Sequence, residues 1–227
     1  GGQRFIPAAE VVDINYFDQP YGIPKGEELL RAGKPADAIP QYRRRLVEGE
    51  VKQLSLRGGF HATEQDYFQV IDGKTASLFG WATAAGAWAA GASGEAPEAL
   101  SRFGEGIGMA FQLVDDALDY AADPARLGKR LGADLAEGKA TLPLIRALAA
   151  EPRLRERLGP IAEGTAPPES AAAEVIEAVR RSGGVEAARA LAGEHTRRAM
   201  AALERVPDGP HRRALADAAA ALTERAF

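Results

Sequence analysis

Residues Phe111 to Pro143 read FQLVDDALDYAADPARLGKRLGADLAEGKATLP, and no other stretch constrains the fold as much. Asp115, Asp116 and Asp119 fall within a segment that is otherwise apolar, among Phe111, Leu113, Val114, Ala117, Leu118 and Tyr120. On a helix, residues four apart lie one above the other and the next residue sits about 100° round. The spacing therefore predicts three carboxylates converging on one edge of a helix whose other faces are buried. Burying carboxylates without partners costs several kcal/mol each. A hard divalent cation is the natural compensation, because Mg2+ takes oxygen ligands and shares them with phosphate groups. The competing reading is a solvated acidic face.

The next residues supply the opposite charge. Lys129 and Arg130 sit in a Leu-Gly-Lys-Arg-Leu-Gly run, and Lys139 follows Asp134 in Glu-Gly-Lys-Ala-Thr-Leu-Pro. Gly128, Gly132 and Gly138 mark turns or close backbone approach rather than continuous helix. A lysine on such a loop can reach over metal ions to a phosphate oxygen, although a single lysine is usually a solvated surface charge. Lys74, beside Thr75, interrupts the nearly continuous apolar stretch from Tyr67 to Gly91. Either its stem is buried with the ammonium in solvent, or it faces a cavity that holds an anion.

Hydrophobic residues make up 46% of the 227-residue chain but aromatics only 7%. Alanine-rich runs dominate and β-branched alternation is scarce, which predicts an all-α fold. A net charge of −4 argues against a nucleic-acid partner held by bulk electrostatics. With no cysteine, disulfides and thiolate metal sites are excluded. No apolar run reaches the roughly 18 residues of a membrane span and no signal-peptide pattern opens the chain, so a cytoplasmic protein is expected. His61, His195 and His211 lie on separate segments without metal-ligand spacing and receive no role.

The pattern predicts a buried helix over Tyr67–Gly91, the acidic helix over Leu100–Tyr120 and a helix over Leu142–Ala150. It places a loop at Gly164–Pro168 and further helices over Ala171–Arg181, Val185–Arg205 and from His211 onward. Ser182-Gly183-Gly184 closes one helix and opens the next. Before Tyr42 the proline and glycine residues, among them Pro24, Pro35 and Pro40, break any regular period.

The Phe111–Pro143 stretch, with Lys74-Thr75 and Ser182-Gly183-Gly184, resembles the trans-isoprenyl diphosphate synthases, or polyprenyl synthetases. Their second aspartate-rich motif is similar to FQxxDDxLDY followed by LGKxxGxDLxEGKxTLPL. The likeness runs in register from about Glu48 to Phe227, and Asp119-Tyr120 is closer to the medium- and long-chain members. The resemblance implies one domain over residues 1–227, a bundle of antiparallel helices around a central substrate cavity. It implies a homodimer that joins an allylic diphosphate to isopentenyl diphosphate by Mg2+-dependent ionisation and condensation. The product would be a polyprenyl diphosphate of undetermined length, such as a quinone side-chain precursor. The same resemblance assigns metal binding to Asp115, Asp116 and Asp119, and diphosphate binding to Lys74, Lys129 and Lys139. Thr75 and Gln112 fall where the family stabilises the developing allylic cation.

The N-terminal motifs match less well. Gly1-Gly2-Gln3-Arg4-Phe5-Ile6-Pro7 is similar to the family's Gly-Gly-Lys-Arg-x-Arg-Pro, in which only Arg4 carries over as a ligand for isopentenyl diphosphate. The first aspartate-rich motif is absent, Glu10-Val11-Val12-Asp13 being at most an echo, and Arg4 lies too close to Glu48. The region from about residue 5 to 42 is therefore expected to be incomplete. The alternative is a catalytically silent partner subunit of a prenyl synthase. A terpene cyclase would use similar metal chemistry without needing Arg4.

Overall fold

A computed structural model describes residues 24–121, 131–163 and 169–223. Among these residues all regular structure is helical. The expected helix from Tyr67 to Gly91 is divided: α3 (Glu64–Ile71) runs into a widened π turn at Asp72–Ala76, and α4 (Ser77–Ala89) continues from it. Single π turns in helices frequently sit at functional sites, and this one carries Lys74 and Thr75. The broken period expected before Tyr42 is corrected for residues 24–41, which are mostly helical. After α1 (Pro24–Arg31), α2 spans Pro35–Leu56 and contains Pro40. Pro35 opens α2 where its missing N–H costs nothing, and Pro40 lies near enough to the start to remove a single helical bond.

The acidic helix is α5 (Ala96–Ala121), packed between α4 and the later helix α11 (Gly184–Leu203). It is buried on most of its surface, with Leu100, Phe103, Ile107, Ala110, Leu113, Val114 and Ala117 in the core. Close approach of α4 needs glycine on α5, since a Cβ on Gly104 would run into the Phe79 carbonyl, and Ala87 packs with Leu100, Phe103 and Ile107. A second part of the core surrounds the fully buried Tyr120. It gathers residues of α7 (Leu142–Ala150), α10 (Glu169–Arg181) and α11. Between α5 and α7 lies the short helix α6 (Ala133–Ala136). The short helices α8 (Leu154–Arg157) and α9 (Gly159–Ala162) follow α7. Gly183, left-handed at φ 74°, separates α10 from α11, and α12 (Pro210–Thr223) packs on α5 and α11.

Candidate active site

The α2, α3 and α5 helices enclose a cavity of about 210 Å³ with the π turn and the residues after α6. Each wall is fixed locally. Thr63 and Asp66 form a reciprocal capping box that starts α3, and Lys52 on α2 pairs with Asp66 at 2.9 Å. On the opposite side Arg45 pairs with Asp72 at the start of the π turn. The α2 helix thus holds both ends of the α3–π segment.

Among the described residues, the Arg57, Lys74, Asp115, Asp116, Asp134 and Lys139 side chains and the Tyr67 phenol line the cavity. The Lys74 ammonium lies 2.7 Å from Glu50 and 2.7 Å from Gln53, both on α2. It is therefore partnered by a carboxylate and an amide of α2, and Lys74 lines the cavity. Asp116 is buried, with the Tyr67 hydroxyl donating to Oδ2 at 2.7 Å and Gln112 Nε2 donating to Oδ1 at 2.8 Å. A carboxylate only accepts hydrogen bonds, so the nitrogen of Gln112 must face Asp116 and its oxygen is turned to Thr75. The Thr75 hydroxyl donates to that oxygen at 3.1 Å. Two neutral oxygens, of Thr75 and Gln112, thus stand side by side in the cavity wall.

Burial raises the Asp116 pKa most. The hydrogen bonds from Tyr67 and Gln112 lower it, and the charges of Asp134 and Asp115 raise it again, leaving it at about 7. Burial likewise lifts the Tyr67 phenol far above its usual value, so it stays a donor. Lys139 bonds Asp134 at 2.8 Å and Glu137 at 2.8 Å. Burial opposes its charge, but these partners outweigh it and hold the ammonium above the ordinary lysine range.

Asp119 is placed differently from the sequence expectation. It is fully buried, outside the cavity lining, and its two oxygens accept the backbone N–H groups of Ala133 (3.1 Å) and Asp134 (3.0 Å). Among the described residues no three His, Asp or Glu side chains close on one point as a ready-made metal cage. Of the three α5 carboxylates, Asp115 and Asp116 line the cavity and Asp119 supports its edge through the backbone. That pair still suits a hard divalent cation, since Mg2+ is commonly held by one or two carboxylates together with phosphate oxygens and water. The crowding of Asp115, Asp116 and Asp134, visible in the raised Asp116 pKa, is charge that a cation would relieve.

Arg4 and Lys129 lie outside the described residues, as do Gly164–Pro168. The residues that sequence reading passed over are Tyr67, Glu50, Gln53 and Arg57. Glu50 and Gln53 lie three apart on α2, a spacing legible from the helical period, and Arg57 follows at its C-cap; Tyr67, read only as the start of an apolar run, gave no such signal.

The fold is an all-helical bundle in which the FQxxDD helix helps line a cavity of carboxylates and ammonium groups. The chain belongs to the polyprenyl synthetase family, whose family model matches residues 34–179. It is 43% identical over 173 residues to an all-trans-nonaprenyl-diphosphate synthase (geranyl-diphosphate specific) of Rhodobacter capsulatus, covering 75% of this chain and 52% of that one. Against the octaprenyl diphosphate synthase of Escherichia coli the identity is 39% over 170 residues, covering 75% and 53%. A decaprenyl diphosphate synthase from Rhodobacter capsulatus superimposes with a TM-score of 0.77 at 34% identity, covering 86% of this chain and 60% of that one. A polyprenyl synthase from Caulobacter crescentus, solved with calcium and isoprenyl diphosphate, gives 0.76 at 37% identity, covering 85% and 60%. The chain spans about half the length of the curated relatives it matches.

Proposed function

We propose that this chain carries the second-acidic-motif side of a prenyl-elongating site, which joins an allylic diphosphate to isopentenyl diphosphate and releases a polyprenyl diphosphate. The observation that carries the reading is one cavity in which Lys74 and Lys139 face Asp115 and Asp116 beside the paired oxygens of Thr75 and Gln112. The related Caulobacter synthase, solved with a divalent cation and an isoprenyl diphosphate, supports both ligand classes.

In this reading Asp115 and Asp116 would hold Mg2+, which would supply positive charge to the departing diphosphate. Lys74, turning from Glu50 and Gln53, and Lys139, turning from Glu137, donate to phosphate oxygens. They neutralise charge that grows as the C–O bond breaks. The oxygens of Thr75 and Gln112 present their negative ends to the allylic cation, and neither is basic enough to be alkylated readily. Asp119 acts through the backbone of Ala133 and Asp134. Arg4 and Lys129 complete the assignment for isopentenyl diphosphate and for the diphosphate group. The same proposal includes a cytoplasmic homodimer. Exposed apolar side chains at Ile39, Leu46 and Val47 on α2 give a second copy a surface to cover, and no described helix is long and apolar enough to cross a membrane.

The test is incorporation of labelled isopentenyl diphosphate into a longer prenyl diphosphate with Mg2+ and an allylic primer. Asp115→Ala should lower the rate by about a hundredfold or more, and Lys74→Ala should weaken binding of the primer. A folded wild-type chain that binds diphosphate but elongates nothing would overturn catalysis in favour of a silent partner subunit. Formation of a cyclic hydrocarbon without isopentenyl diphosphate would favour a terpene cyclase.

A further inference from the structure

The connection between α2 and α3 crosses the rim of the cavity and is tied to the residues after α6. The Gly58 N–H donates to the Gly138 carbonyl at 2.8 Å, and Arg57 Nε donates to the carbonyl of Glu137, the preceding residue. Gly138 is left-handed, at φ 75°. With the Gly138 N–H on Leu135 and the Lys139 N–H on the Asp134 carbonyl, both at 2.9 Å, it forms a glycine cap on α6. Lys139 leaves the backbone immediately after this cap, so the direction of the Glu137–Gly138 peptide sets where its side chain begins. Arg57 is exposed and lines the cavity together with Lys139 and Asp134.

At its other end the Gly132–Lys139 segment is anchored by Asp119 through the amides of Ala133 and Asp134. Its C-terminal end has the two bonds from Arg57 and Gly58. The Gly58 bond is between main-chain atoms and comes with the chain path, so Arg57 is the side chain whose identity sets this end. A guanidinium suits the task because its planar donors are fixed relative to one another, and it carries charge that strengthens a hydrogen bond to a carbonyl.

We propose that Arg57 is a positioning residue for diphosphate binding, acting by fixing the Glu137 carbonyl so that Lys139 is held at the cavity. This inference rests on the diphosphate-binding reading of the site. The probe is inorganic pyrophosphate with Mg2+, titrated calorimetrically into the chain and into Arg57→Ala, Arg57→Lys, Lys139→Ala and the double variant Arg57→Ala/Lys139→Ala. Circular dichroism checks that each is folded. Arg57→Ala should weaken pyrophosphate about tenfold, the scale of one charge-assisted hydrogen bond, and Arg57→Lys should recover part of the loss. In the Lys139→Ala background the Arg57 substitution should change affinity by less than about twofold, because it acts through Lys139. Wild-type affinity in Arg57→Ala would overturn the inference. So would an undiminished tenfold loss in the Lys139→Ala background, which would make Arg57 a direct phosphate ligand. A wild-type chain that binds no pyrophosphate would overturn the diphosphate-site reading itself, and this inference with it.

Discussion

The phenol of Tyr67 on α3 donates to the carboxylate of Asp116 on α5 across 2.7 Å, with both side chains buried. This single bond ties two helices at the floor of the cavity. It also supplies one of the two donors that let a buried carboxylate exist beside Asp115 and Asp134.

Tyr67→Phe removes that donor and almost no volume. The buried Asp116 Oδ2 then loses its protein donor. The loss of one buried, charge-assisted bond should destabilise the chain by about 1–3 kcal/mol, read as a lowered urea midpoint at unchanged slope. In an Asp116→Asn background the same substitution should cost clearly less. Equal costs in the two backgrounds would mean that Tyr67 acts by packing alone.

Gly49 lies where α2 crosses the π turn. A Cβ added there would sit 2.7 Å from the Lys74 nitrogen and 3.0 Å from the Gly73 carbonyl carbon, both backbone atoms that cannot swing aside. Gly49→Ala should therefore cost about 1–3 kcal/mol through forced separation of the two elements. It should also weaken pyrophosphate binding, because Lys74 moves with its backbone. A variant with wild-type melting temperature and affinity would show that the crossing yields without strain.

The all-α class and the long acidic helix were legible because alanine-rich, 3.6-residue periodicity survives wherever a helix is buried on one side. The glycine cap at Ser182-Gly183-Gly184 was legible for the same local reason: a left-handed residue favours glycine. The π turn was hidden because its residues, Asp72–Ala76, differ from helix only by one looser hydrogen-bond spacing. The amide partners of Asp119 were not legible because helical spacing gives the angle at which a side chain leaves the helix, whereas its partners depend on where Gly132–Lys139 folds back. The Tyr67–Asp116 bond spans 49 residues of sequence, beyond any periodic argument.

As pH falls, Asp66 keeps its charge long after Asp116 has taken up a proton. Partial burial raises the Asp66 pKa, but the hydrogen bonds from the Thr63 side chain and amide and the proximity of Lys52 outweigh this and bring it down to about 2 from an ordinary 3.8. A carboxylate depressed on folding contributes stability that is fully present above its unfolded value and is lost as pH falls through the folded one. Asp66→Asn should thus be less stable than wild type by about 1 kcal/mol near neutral pH. The gap should close between about pH 4 and pH 2. Urea midpoints across that range check it, and a gap independent of pH would assign the cost to capping geometry and not to charge.

Asp119 gives the sharpest contrast with its neighbours on α5. Asp115 and Asp116 line the cavity, whereas both oxygens of Asp119 are engaged by the amides of Ala133 and Asp134. Replacing it with asparagine keeps one acceptor but turns an NH2 group toward one of these N–H donors, leaving that amide unpaired in a buried place. A cost of about 1–3 kcal/mol follows from one unsatisfied buried donor. The damage should be local: amide hydrogen exchange at Ala133 and Asp134 should quicken while the core of α5 keeps its protection. Elongation should fall less than in Asp115→Ala, because Asp119→Asn loosens the segment that carries Asp134 and Lys139 without removing a cavity carboxylate. Unchanged exchange at the two amides, combined with a loss of activity as deep as that of Asp115→Ala, would instead make Asp119 a direct participant at the metal.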